Sequence, residues 1–129
     1  MKVELIFVDT AEQTKRGFYR GFIALLLFYV LFFAWHWLFQ SVYPKYIQDW
    51  QLWVGALIFG ILFASAIAVA HPTDIKTALT YGGLVGFVVF GCVNATLFTA
   101  RYQWWVALFD TLFGVLLGMA NAATLFYLK

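Results

Sequence analysis

Apolar residues along this chain fall into four long runs, at about 20–41, 50–70, 77–99 and 103–126, with short polar gaps between them. Each run is close to the ~20 residues that carry a helix across a hydrocarbon core, so the pattern predicts four membrane-spanning helices. Pro44 and Pro72 stand in the gaps, where loss of an amide donor ends a helix. Short gaps make consecutive helices antiparallel neighbours. The predicted fold is all-α, an integral membrane four-helix up-down bundle forming a single domain over residues 1–129. Residues 1–19 are expected to form an interfacial arm and a helix extension. Thr10, with Gln13 three residues on, has capping-box spacing and puts the start of the first helix near Thr10. The segment Leu5, Ile6, Phe7, Val8 is too short to span and is expected to rest on the membrane surface or on a partner.

Composition points the same way. The chain is 64% hydrophobic and 11% charged, whereas a soluble domain of this size carries roughly a quarter charged residues. Four spans leave no stretch long enough for a soluble domain. A net charge of +2 is too small to argue for nucleic acid. The one cysteine, Cys92, cannot form an internal disulfide, and no CxxC or Cys/His cluster predicts a metal site. No cofactor is expected. The amino-terminal segment lacks the basic–apolar–small order of a cleavable signal and is expected to stay on the mature protein.

Charge and aromatic residues orient the spans. Lys2, Lys15, Arg16, Arg20, Lys76 and Lys129 fall on one side of the predicted bundle, Lys45 and Arg101 on the other. By the positive-inside rule both termini are cytoplasmic. All six tryptophans, Trp35, Trp37, Trp50, Trp53, Trp104 and Trp105, then fall at the outer helix ends, as an interfacial belt of amphipathic indoles would. Tyr19, Tyr81 and Tyr127 mark the inner ends.

Within lipid, helices associate through close packing, so small residues mark contact faces. The second run carries Ala56, Gly60, Ala64 and Ala68; the third carries Ala78, Gly82 and Gly86; the fourth carries Gly114, Gly118 and Ala122. A four-residue step keeps side chains on one face, so runs two to four are expected to form a tight core. The first run is bulky, with Leu25, Leu26, Leu27, Phe28, Phe32 and Phe33 and no ladder. It is expected to face lipid or another subunit.

Asp110 is the sharpest chemical signal, because a carboxylate inside a span must be neutral or partnered. It lies about 10 Å inside the outer boundary at ~1.5 Å per residue. His36 and Asn94 come out at similar depth, with Thr96, Thr99 and Thr111 nearby. Three readings stand: Asp110 bonds Asn94 or a threonine and locks the bundle, it is a protonatable site or ligand cradle, or it contacts another subunit. His36, flanked by Trp35 and Trp37, reads on its own as an interfacial histidine. His71 falls at the opposite membrane face, which disfavours bis-histidine haem binding. Asn121 reads as an interhelical hydrogen bond. No nucleophile–base–acid set, phosphate loop, paired carboxylates or metal-ligand spacing is present, so no enzyme is predicted.

The stretch ALTYGGLVGFVVFGCVNATLFTARYQWWVALFDTLFG, residues 78–114, resembles a family of small predicted bacterial membrane proteins, a domain of unknown function. Gly86, Thr96, Trp104, Asp110 and Gly114 match its pattern in order. Asn94 stands where that family has Asp, and Leu97 where it has Asn. An acid that the family places before a Trp-Leu pair on its first helix is missing ahead of Trp37 and Leu38, and the spacing from Gly86 to Asp110 is about two residues shorter. The resemblance implies a four-helix protein of the bacterial inner membrane and supplies no activity.

The leading functional expectation is a non-catalytic accessory, structural or assembly subunit of a larger membrane complex, with the bilayer and either other membrane subunits or further copies of itself as partners. The alternatives are a small homo-oligomeric transporter or proton-linked channel built on the layer around Asp110, and a lipid-, pigment- or quinone-binding protein.

Overall fold

A computed structural model of the chain describes the backbone of residues 3–5, 11–39, 49–101 and 104–128, and side chains within 15–39, 54–95 and 104–128. Four helices account for nearly all of it: α1 over Ala11–Leu38, α2 over Asp49–Ala68, α3 over Ile75–Arg101 and α4 over Trp104–Tyr127. Among the described residues, three are long and apolar enough to cross a membrane, within Lys15–Leu38, Ile75–Ala95 and Trp104–Tyr127. The described apolar part of α2, Val54–Ala68, is shorter.

The ends of the elements follow local chemistry. α1 begins one residue after Thr10; Thr10 itself lies outside the described residues, as do Pro44 and Lys45. α3 begins after Asp74, whose carboxylate accepts a 2.7 Å hydrogen bond from the Thr77 backbone N–H, one of the amides that a helix start leaves without an internal partner. That bond holds the Asp74 carboxyl below its ordinary range. Ahead of it, Pro72 closes a short strand, β2, over Ala70–Pro72.

β2 pairs antiparallel with β1, Val3–Leu5, in the register Val3 to Pro72, Glu4 to His71 and Leu5 to Ala70. The start of the amino-terminal arm is thus bonded to the chain's own α2–α3 connection rather than lying loose for a partner. Ile6, Phe7 and Val8 lie outside the described residues.

The small-residue ladders are contact faces, as expected, but they pair differently. On α3, Ala78, Gly82, Gly86, Phe90 and Asn94 form one buried stripe at four-residue spacing. On α4 the buried positions recur at steps of three and four from Val106 to Leu125 and include Asp110, Gly114, Gly118, Asn121 and Ala122. The two faces meet backbone to backbone: a Cβ on Gly86 would come within 1.9 Å of the Gly114 carbonyl oxygen, and one on Gly118 within 1.9 Å of the Gly82 oxygen. Numbering rises along α3 as it falls along α4, so this pair is antiparallel.

The ladder of α2 turns to α1 instead of to α3 and α4. A Cβ on Gly60 would strike the Phe28 and Tyr29 rings at 2.9–3.0 Å, and Gly21 faces Ala68. Ala24, Phe28 and Phe32 of α1 are buried. α1 thus has no ladder of its own, as its sequence reads, and still buries one face in the bundle while Phe22, Leu26 and Val30 stay exposed on the other. A bulky helix needs no ladder of its own when its partner supplies the hole. Phe28 fills it and reaches across to Phe63 and Phe90, with ring centroids 5.1 and 6.1 Å away.

Candidate functional site

α1 carries Ala24, Phe28, Phe32 and His36 at four-residue steps, so His36 continues the buried face rather than the exposed one. α4 meets that face antiparallel, with Asn121 beside Ala24, Phe113 beside Phe32 and Asp110 beside His36. His36 Nε2 lies 3.4 Å from Asp110 Oδ1, with side-chain exposures of 9% and 6%. The other ring nitrogen, Nδ1, is 2.7 Å from the Phe32 carbonyl oxygen. A carbonyl oxygen only accepts, so Nδ1 carries a hydrogen and Nε2 is the nitrogen turned to the acid.

With Nδ1 fixed in this way, a single proton between Nε2 and Oδ1 leaves the pair neutral. Neutrality matters in this position, because an unpaired charge in hydrocarbon costs several kcal/mol. The 3.4 Å separation exceeds the ~2.7–2.9 Å of a direct charge-assisted hydrogen bond. Aromatic rings wall the pair: Phe32 sits 4.0 Å from the imidazole centroid, and Phe113 meets it edge-on at 5.8 Å.

Asn94 completes the layer from α3 but does not bond Asp110 among the described contacts. Its Nδ2 donates to Thr111 Oγ1 at 3.1 Å, and the Thr111 hydroxyl donates to the Ala107 carbonyl at 2.7 Å. Asn94 is 1% exposed, and its Oδ1 has no hydrogen-bond partner among the described residues. Asn121 behaves as the interhelical tie expected of it, donating from Nδ2 to the Ala24 carbonyl at 3.1 Å.

The expected layer is therefore assembled in part. His36 and Asp110 are brought together, and Asn94 reaches the neighbouring Thr111. The side chains of Thr96 and Thr99 lie outside the described residues. The four-residue step from Phe32 turns the His36 side chain toward α4 rather than to the outside of the bundle. Of the tryptophans, Trp37, Trp104 and Trp105 are exposed. Trp35 instead stacks on Phe113 at 4.6 Å, roofing the same layer. The Trp50 and Trp53 side chains lie outside the described residues.

Compared with protein-family models, curated proteins and solved structures, the chain matches none. The resemblance over residues 78–114 rests on its quoted residues alone.

Two residues with structural work to do stand outside the site predicted from the sequence. Arg20 reads in the sequence only as a charge, yet its guanidinium donates to the Leu125, Ala70 and Ala68 carbonyls at 3.1, 3.4 and 3.5 Å. Asp74 did have a signal, an acid three residues ahead of Thr77 at a helix start. Among the described residues, no group of three His, Cys, Asp or Glu side chains is placed to hold a metal ion.

Proposed function

We propose that the chain is a non-catalytic integral membrane protein, a rigid four-span subunit of a larger membrane assembly. In this reading the helices form an up-down bundle in a bacterial inner membrane, with both termini cytoplasmic as the six-to-two distribution of basic residues asks. The observation that carries it is that buried polar side chains tie one helix to another. His36 meets Asp110, Asn94 meets Thr111 and Asn121 meets the Ala24 carbonyl. These contacts tie α1 and α3 to α4, and the glycine seam locks α3 to α4. The outward faces of α1 and α2 carry large apolar side chains such as Phe22, Val30, Leu57 and Ile61, suited to lipid or to a neighbouring helix. The test is gentle extraction from the native membrane followed by native mass measurement. Foreign subunits at fixed stoichiometry are the expected result; a lone chain or a pure homo-oligomer would overturn the reading.

A second reading has one specific observation in its favour, the facing of His36 Nε2 and Asp110 Oδ1 across 3.4 Å, a geometry in which a proton can pass from one to the other. A homo-oligomeric proton-linked transporter would move that proton between Oδ1 and Nε2 as substrate passes. Asp110→Asn, which has no carboxylate to exchange it, should then abolish flux in proteoliposomes while leaving the helices intact. Unchanged flux sinks this alternative.

A further inference from the structure

At the end of the bundle opposite His36, the start of α1 comes together with the end of α2, β2 and the end of α4 around a groove of about 1180 Å³. Its described lining includes Arg16, Arg20 and His71 and contains no acidic residue. The walls running into the bundle are apolar, among them Phe22, Leu25 and Ile61. Glu4 stands opposite His71 in the β1–β2 register, so the weight of the argument falls on Arg20.

Among the described residues, Arg20 is held in a way that leaves its charge unanswered. Its three nitrogens each donate to a backbone carbonyl, of Ala68, Ala70 and Leu125, and these acceptors are neutral. Among the described residues no carboxylate reaches it. A guanidinium has five N–H groups in a fixed fork, so three such bonds leave two donors, one on each terminal nitrogen. Partly buried cations call for a counter-anion, and the planar fork suits two oxygens of a phosphate. The three carbonyls fix the fork in place beforehand, near the end of the candidate span that begins at Lys15.

We propose that this groove binds an anionic phospholipid, with the phosphate on Arg20 and an acyl chain along Phe22, Leu25 and Ile61. A lipid fits better than a soluble anion because the cationic end opens directly onto the apolar walls. Basic pockets between membrane helices take acidic headgroups for the same reason. The site is independent of the His36–Asp110 layer and of the subunit reading.

The test uses the whole protein in neutral detergent doped with phosphatidylglycerol or phosphatidylcholine, read by native mass spectrometry and thermal melting. Phosphatidylglycerol should be retained about five-fold more than phosphatidylcholine, the preference that one basic side chain near a headgroup gives, and should raise the melting temperature more. Ser65 is an exposed residue of the groove, so Ser65→Trp should fill it without disturbing the core. That variant should lose the preference with helix content unchanged, and Arg20→Lys, which keeps the charge but not the fork, should weaken it. Equal retention of the two lipids by the parent protein overturns the proposal. So does a preference that survives Ser65→Trp, or inorganic phosphate stabilising the protein as well as phosphatidylglycerol does. If Arg20→Lys fails to fold, the parent protein and Ser65→Trp still decide.

Discussion

His36 Nε2 and Asp110 Oδ1 lie 3.4 Å apart, on helices whose aromatic side chains close around them. Each is a polar side chain in an apolar layer, and each gives the other a polar neighbour there. Removing one member of a buried pair leaves an uncompensated polar group, whereas replacing both with apolar side chains removes the need for compensation. His36→Leu and Asp110→Leu should each destabilise the protein by about 1–3 kcal/mol. The double variant should return to within about 1 kcal/mol of the parent. Equilibrium unfolding in mixed micelles measures the cycle, and additive losses would show that the two side chains do not interact.

The α3–α4 seam makes a sharper steric prediction. At Gly86 and Gly118 an added methyl meets a backbone carbonyl at 1.9 Å, with no flexible side chain to give way. Gly86→Ala or Gly118→Ala must push the helices apart and should cost about 2–3 kcal/mol, in the range of overpacked cores. Gly91 is on the same helix, but its added Cβ would only touch Thr111 Cγ2 at 4.0 Å. There the better helix propensity of alanine should prevail, with a gain of up to about 1 kcal/mol. The same unfolding measurement separates the two outcomes, and equal effects at all three positions would dismiss the seam.

That seam was legible in the sequence because it is periodic within each helix: Gly82 and Gly86 on one, Gly114 and Gly118 on the other. Asn94 and Asp110 share those stripes, so their inward placement was legible too. His36 was not, because α1 has no ladder to declare an inner face. Its orientation comes from Phe28 filling the hole over Gly60, which is a property of two helices and not of either one. The three-residue pairing of Val3–Leu5 with Ala70–Pro72 is too short to leave a pattern. Arg20 read as surface charge, since nothing in its neighbourhood reveals that the ends of α2 and α4 converge on it.

The Phe28 knob gives a third prediction. Phe28 is fully enclosed among Gly60, Phe32, Phe63 and Phe90, and its removal leaves a void that backbone contacts on the α2 side cannot close. Phe28→Ala should cost about 3–5 kcal/mol, as large aromatic truncations in packed interiors do. Phe22, six residues earlier on the exposed face, should tolerate alanine within about 0.5 kcal/mol. Comparable losses at both positions would mean that α1 does not present one buried face.

The Asp74 cap ties a local hydrogen bond to pH. Its folded-state carboxyl titrates below the ordinary value, first because the Thr77 backbone N–H donates to it at 2.7 Å. A depressed acid stabilises the fold above its unfolded value of ~3.9 and loses that contribution as pH falls through the folded value. The Thr77 amide should therefore be protected from hydrogen exchange at neutral pH, and its protection relative to a distant α3 amide should decline once the pH drops below about 4. Asp74→Ala should abolish that extra protection at pH 7 and remove its pH dependence. Asp74→Asn should keep protection while losing the pH dependence, because a neutral amide oxygen still caps a helix. A Thr77 amide that exchanges alike in all three proteins at pH 7 would show that the cap does not hold the start of α3.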